Sequence, residues 1–261
     1  FNLGPVKAIF SALEKWGIGH SDYVLTICAD LFEIASRIAG DKTPVILLEN
    51  TRFEKLRLVS ESTADDAVRE EVRAFLREGE DDPVLFYSGT FEKYQGIPLV
   101  IKAVSRIREK VPGVKMLLIG GSAEQVSEMK RLARELDVQE RILFTGTLSP
   151  NLVKDLYQYA DILLSPRVSG TNIPLKVYEC MAGGKPLVAT DIHSHTQLLT
   201  SEMAFLAQPT PDDLARAILE CVTQKEEARR RAQNCQTYYS ENFGAEKYRE
   251  KMKKVMKGGA C

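Results

Sequence analysis

Three apolar runs, 84–88, 115–119 and 141–145, are each followed by glycine: Gly89, then Gly120 and Gly121, then Gly146. Glycine at such a place permits a tight turn and lets backbone N–H groups approach a phosphate, while the N-terminus of a following helix adds positive partial charge. The chemistry open to this pattern is the binding of a phosphorylated ligand. Any βαβ protein also needs glycine at strand-to-helix turns, so the pattern marks such a site only in company with other residues. No Gly-x-Gly-x-x-Gly follows the first run and no Gly-Lys-Ser or Gly-Lys-Thr loop occurs, which counts against a dinucleotide oxidoreductase and a P-loop nucleotidase.

Other reactive residue types form few constellations. His193 and His195 stand beside Asp191 but lack the spacing and further ligands of a metal site, and read as a loop against a ligand or a plain turn. His20, near Asp22, sits at an apparent helix end, where a cation is ordinary. The cysteines Cys28, Cys180, Cys221, Cys235 and Cys261 show no Cys-x-x-Cys spacing and read as reduced thiols, which fits a cytoplasmic protein. No Gly-x-Ser-x-Gly elbow, Cys–His pairing or metalloprotease helix occurs, so hydrolysis is disfavoured.

The elements that must position these residues follow from hydrophobic periodicity. Strands are expected at 84–88, 115–119, 141–145, 162–165, 186–190 and 204–207, each followed by an amphipathic stretch, which is how a parallel sheet with helices on both faces reads. Leu99, Val100, Ala103, Val104 and Ile107 recur at helical spacing, as do Val126, Met129, Leu132, Ala133 and Leu136. Further helices are expected at 151–160, from 174 to 182 with Gly183 and Gly184 closing it, and at 212–223, 225–239 and 245–256. Ahead of these, helices at 6–16 and 31–38 and strands at 23–28 and 45–48 make a partial Rossmann-like fragment. The charged stretch 54–82, with one helical pattern at 67–76, reads as a connector.

A formal net charge of -1 gives no support for nucleic-acid binding. The basic run Lys251, Lys253, Lys254 and Lys257 permits peripheral contact with an anionic membrane surface, although lysine near a helix C-terminus is explained as well by the macrodipole. No apolar stretch is long enough to span a bilayer. Phe1 stands in place of an initiator methionine without a signal-peptide pattern, so the N-terminus reads as a cut through a longer protein.

One segment is more specific. Residues 165–190 read Ser-Pro-Arg-Val-Ser-Gly-Thr-Asn-Ile-Pro-Leu-Lys-Val-Tyr-Glu-Cys-Met-Ala-Gly-Gly-Lys-Pro-Leu-Val-Ala-Thr. This resembles the donor-site signature of glycosyltransferase family four, retaining enzymes with the GT-B fold of two facing Rossmann-like domains. Tyr87-Ser88-Gly89, Leu118-Ile119-Gly120 and Phe144-Thr145-Gly146 are further matching strand ends, and the likeness covers roughly 83–243. It implies a remnant of the acceptor-side domain at 1–58, a connector at 59–82, the nucleotide-sugar-binding domain at 83–243 and a C-terminal helix and tail at 244–261.

The same resemblance implies sugar transfer from a nucleoside-diphosphate donor to a hydroxyl on an acceptor sugar, lipid or small molecule, with no metal and no cofactor. Glu179 would accept hydrogen bonds from the ribose hydroxyls, and the backbone amides of Asn172, Ile173 and Leu175, around Pro174, would face the diphosphate. Gly89, Thr90 and Gly120 would border the same ligand. The pattern departs at Thr171, where many members carry a Glu, and at Thr90 and Gln95, where an Arg and a Lys are common. Lys93, Arg167 and Lys176 are the nearby cations left to meet charge on the leaving diphosphate, with Thr171 as a neutral hydrogen-bonding partner. This chain alone is expected to bind nucleotide without turnover. A degenerate, non-catalytic nucleotide-binding scaffold and a sugar-nucleotide epimerase are the alternatives.

Overall fold

A computed structural model of the chain describes residues 4–49, 63–77 and 82–256. In chain order the elements are α1 (Gly4–Gly19), β1 (Val24–Thr26), α2 (Ala29–Ala39), β2 (Val45–Leu47), α3 (Thr63–Leu76), β3 (Val84–Ser88), α4 (Ile97–Ile107), β4 (Lys115–Ile119), α5 (Ala123–Glu135), β5 (Ile142–Gly146) and α6 (Pro150–Leu156). They continue with β6 (Ile162–Ser165), α7 (Leu175–Gly183), β7 (Leu187–Thr190), α8 (His193–Thr196), β8 (Phe205–Ala207), α9 (Pro211–Thr223), α10 (Lys225–Phe243) and α11 (Ala245–Met256). Two units divide the chain: Phe1–Phe53 with Ser240–Cys261, and Glu54–Tyr239.

The larger unit is built on a six-stranded sheet in the order β5-β4-β3-β6-β7-β8, with every neighbouring pair parallel. Parallel strands must be joined by crossovers, and here each strand feeds a helix. The order grows outward in one direction from β3 and in the other from β6. Adjacent loops at that reversal leave in opposite directions and open a crevice at the C-terminal strand ends, where open α/β sheets take their ligands.

Burial explains why these segments are strands and helices. β3 is buried along Val84–Tyr87, as a central strand covered on both faces must be. Leu85 and Tyr87 enter a core shared with α4, α5 and α9, while Phe86 meets the Tyr157 ring on the other face at 5.4 Å. In α4, Ile97, Val100, Ile101, Val104 and Ile107 are all at most 2% exposed, and each such aliphatic side chain contributes roughly 1.5–3 kcal/mol of burial.

Some expected boundaries move, for local reasons. The strand expected at 141–145 starts one residue later because Gln139–Arg141 close a 3-10 turn. The helix expected over 151–160 is α-helical only through Leu156 and tightens into a 3-10 turn at Tyr157–Tyr159, which aims Tyr157 at the sheet. The helix expected to end at 239 runs on to Phe243. Within the expected connector, α3 is held to the larger unit by Arg69, which pairs with Asp155 at 2.7 Å, and by Lys115, whose Nζ donates to the Phe75 carbonyl at 2.6 Å. Residues 59–62 and 78–81 of that stretch lie outside the described residues.

In the smaller unit, β1 and β2 pair in parallel across the α2 crossover, and both are shorter than expected. The helix expected at 245–256 is α11 and groups with this unit, where Lys251 pairs with Glu49. Lys257, part of the basic run, lies outside the described residues. The His20 Nδ1 donates to Trp16 O at 2.8 Å and the ring stacks on that of Trp16, as a helix-end residue rather than a partner for Asp22. Among the described residues no helix is long and apolar enough to cross a membrane.

Candidate functional site

The crevice between β3 and β6 gathers part of the expected set. A small recess there is lined by Ser88 from the end of β3, Tyr157 after α6, and Lys176, Glu179 and Cys180 from α7. Glu179 is exposed, while Lys176 lies one turn earlier on the same helix. A Cβ built on Gly89 would sit 2.8 Å from the Lys176 Nζ, so the loop after β3 and the helix after β6 meet at this amine.

Lys176 is in an unusual setting. The residue is half-buried, but its Nζ is sealed from solvent and has no hydrogen-bond partner. It lies 3.6 Å from the centroid of the Tyr87 ring, a cation–π distance. Desolvation dominates its titration, and Arg167 opposes charging further, so its pKa is pushed down to about 7 although Cys180 and Glu179 act the other way.

Helix starts around the sheet differ. Ser122 caps α5 in a capping box with Gln125, Ser149 caps α6, and Thr210 caps α9. The helices after β3 and β6, α4 and α7, begin without a side-chain cap, as does the four-residue α8. At the start of α7 the Val177 amide turns back to Pro174 O at 2.9 Å and leaves Leu175 and Lys176 as open donors, whereas in α4 Pro98 has no N–H and the Leu99 amide donates to Gly96 O at 3.0 Å.

The glycines serve differently from the expectation. The Gly89 amide donates to Ile119 O at 2.9 Å and the Gly120 amide to Gly146 O at 2.7 Å, so neither is free for a phosphate. Their lack of a side chain is what matters: Gly120 has φ +121, and a Cβ there would fall 1.9 Å from Gly89 O. Thr90 is exposed, and its carbonyl accepts from the Tyr87 hydroxyl at 2.7 Å.

Arg167 braces its own loop. Its Nε donates to Ser169 O at 2.6 Å and its Nη1 to Asn172 O at 3.1 Å, while the guanidinium lies 5.2 Å from the Tyr94 ring. This sets the approach of Asn172 to α7. Ile173 and Pro174 are buried, and Leu175 is exposed. Thr171 is exposed, its carbonyl accepting from Gln197, and Lys93 is exposed on the 3-10 turn Lys93–Gln95. No hydrogen bond joins Lys93 or Thr171 to the Lys176 amine among the described residues. Tyr87, Ser88, Tyr157 and Cys180 were not anticipated. Ser88 could have been found by taking the last residue of the strand along with the glycine after it.

His195 is neither a ligand contact nor exposed. It is fully buried, with Nδ1 2.8 Å from Thr190 O and Nε2 2.9 Å from Ser165 Oγ. A carbonyl only accepts, so Nδ1 carries the proton and Nε2 accepts from the serine hydroxyl. Among the described residues no His, Cys, Asp and Glu group could hold a metal ion. Burial pushes the His195 pKa down to about 4. An unfolded chain therefore takes up a proton below about pH 6.5 that the folded chain refuses, and stability present above that pH is lost as pH falls toward the folded value. Urea unfolding should show a loss of about 2 kcal/mol between roughly pH 6.5 and 5 that is absent in His195→Gln. An equal slope in the variant would exclude His195 as the cause.

The model for the family described as Glycosyl transferases group 1 matches residues 68–238. An uncharacterised glycosyltransferase of Methanocaldococcus jannaschii is 21% identical over 238 residues, covering 90% of this chain and 58% of that protein. The alpha-monoglucosyldiacylglycerol synthase of Streptococcus pneumoniae is 25% identical over 199 residues, covering 76% of this chain and 43% of that protein. This chain thus spans about half the length of the curated relatives it matches. Among solved structures, Anabaena Alr3699/HepE in complex with UDP aligns with a TM-score of 0.72 at 18% identity, over 91% of this chain and 64% of that one. A glycosyltransferase of Rickettsia africae aligns with a TM-score of 0.74 at 17% identity, over 93% and 66%. These structural likenesses establish a shared α/β fold. With the family match running from within α3 to within α10 and taking in the whole sheet, its switch point and the recess, the chain belongs to the glycosyl transferases group 1 family.

Proposed function

We propose that this protein, as a member of glycosyltransferase family four, transfers a sugar from a nucleoside-diphosphate donor to an acceptor hydroxyl with retention at the anomeric carbon. The larger unit holds the donor. The observation that carries the reading is an exposed carboxylate, Glu179, one helical turn from an unpartnered amine, Lys176, where β3 and β6 diverge beside Gly89.

In this reading the Glu179 carboxylate accepts from the ribose hydroxyls, which suits its two acceptor oxygens. The diphosphate lies against the backbone amides of Asn172, Ile173 and Leu175, with Pro174 fixing the entry to α7. Lys176 and Lys93 meet the negative charge that grows on the diphosphate as its bond to the sugar breaks, and Thr171 offers a neutral hydroxyl. Arg167 holds the loop in place, and Gly89, Thr90 and Gly120 border the pocket. The donor is a substrate and no cofactor enters; the acceptor is a hydroxyl of a sugar, lipid or small molecule. Solved relatives in complex with UDP and with UDP-glucose support a nucleotide sugar as ligand.

Calorimetric titration with UDP, GDP and ADP tests the reading. One of the three should bind in the micromolar range, about −8 kcal/mol, and EDTA should change that affinity by less than about twofold. Failure of all three to bind would remove the donor-site assignment.

A further inference from the structure

We propose that binding of a nucleoside diphosphate at the β3–β6 switch point is coupled to uptake of one proton from solvent by the Lys176 amine, so that the site acquires its cation only as the anion arrives. The inference rests on the reading of the recess as a diphosphate site.

The geometry carries it. The Lys176 Nζ is sealed from water and lacks any hydrogen-bond partner, a setting in which an ammonium loses its hydration without compensation. The groups facing it offer little negative charge. On its own helix Cys180 is a neutral thiol, its pKa pushed up to about 12 by burial, and Glu179 is exposed to solvent. From β3, the Tyr87 hydroxyl is held protonated, its pKa raised by burial, and it points its hydrogen at Thr90 O. From the loop after β6, Arg167 adds positive charge, and from α8 the buried His195 is neutral. Tyr157 lines the recess from the turn after α6. Accordingly the Lys176 pKa stands at about 7, and near neutral pH the amine is only partly charged.

A diphosphate against the open start of α7 changes this balance. Lys176 is itself in the first turn of that helix, and its flexible four-carbon stem lets the amine leave the Tyr87 ring and reach the anion. Paired with phosphate oxygens, it is held as the ammonium, its pKa returns upward, and the proton it gains is one the buffer loses. Two consequences are measurable. Affinity for the diphosphate should fall about fivefold from roughly pH 7 to 8, because the free amine must first be charged. Uptake should approach one proton at about pH 8 and shrink toward zero at about pH 6.

The test is calorimetry of UDP binding in two buffers of different ionisation enthalpy at about pH 6, 7 and 8, on the chain and on Lys176→Met and Lys176→Arg. The expected result is a buffer-dependent enthalpy that grows with pH in the chain and vanishes in both variants. Lys176→Met should bind about tenfold more weakly at neutral pH, and Lys176→Arg should bind with an affinity insensitive to pH. Lys176→Met should melt no lower than the parent, since it removes a sealed, titrating amine, whereas Lys176→Arg sets a permanent charge in the same place and should melt lower. Binding without buffer dependence, or with dependence that persists in Lys176→Met, overturns the coupling while leaving the donor site standing. Absence of UDP, GDP and ADP binding overturns both together.

Discussion

Replacing Gly120 with alanine should destabilise the larger unit by roughly 4 kcal/mol and abolish nucleotide binding. Two costs add. The residue holds φ +121, a region that L side chains rarely adopt. Its Cβ would also fall 1.9 Å from Gly89 O, and that obstacle is backbone, which cannot rotate aside as a side chain does. Relief requires the β3 and β4 exits to part, which strains the Gly89 to Ile119 and Gly120 to Gly146 hydrogen bonds. Gly89 would then move away from Lys176. Gly146→Ala is the matched control, because a positive φ is present there with nothing within 4 Å of the added Cβ. Urea unfolding of the two variants separates the effects. A Gly120→Ala loss no larger than that of Gly146→Ala would show that close approach contributes nothing.

Glu179→Ala should weaken binding of the nucleoside diphosphate by about 150-fold or more while leaving the fold intact. A carboxylate accepting from two hydroxyls makes charge-assisted hydrogen bonds worth roughly 1.5–3 kcal/mol apiece. Because Glu179 is exposed, truncation leaves no buried group unsatisfied, and the melting temperature should hold. The discriminating measurement pairs the nucleotide with its 2′,3′-dideoxy analogue. The parent should lose affinity for the analogue by a comparable factor, and Glu179→Ala should bind both alike. An undiminished penalty for the analogue in the variant would assign the ribose contact to another residue.

Much of the fold was legible because its central strands are apolar on both faces. The runs at 84–88, 115–119 and 162–165 coincide with β3, β4 and β6, since a strand covered on two sides reads as an unbroken hydrophobic stretch. Strand order was not legible from these runs, because nothing in their composition says which neighbours pair. That Glu179 and Lys176 share one recess beside β3 was legible, because both stand one turn apart on the helix that follows β6. It was misread where the backbone does: a sequence displays Gly89 and Gly120 but not the carbonyls that occupy their amides. Tyr157 was missed because the change from α-helix to 3-10 turn at Leu156 leaves no periodicity signal over three residues. His195 resembled a ligand contact because its pairing with Ser165 spans thirty positions of chain.

The absence of side-chain caps on α4 and α7 has a practical consequence. The electropositive start of α7 keeps amides without acceptors, so a small dianion can complete the architecture there much as a keystone completes an arch. Thermal midpoints should then report occupancy directly, and phosphate or sulfate in a screening solution would hide weaker ligands by filling the gap first.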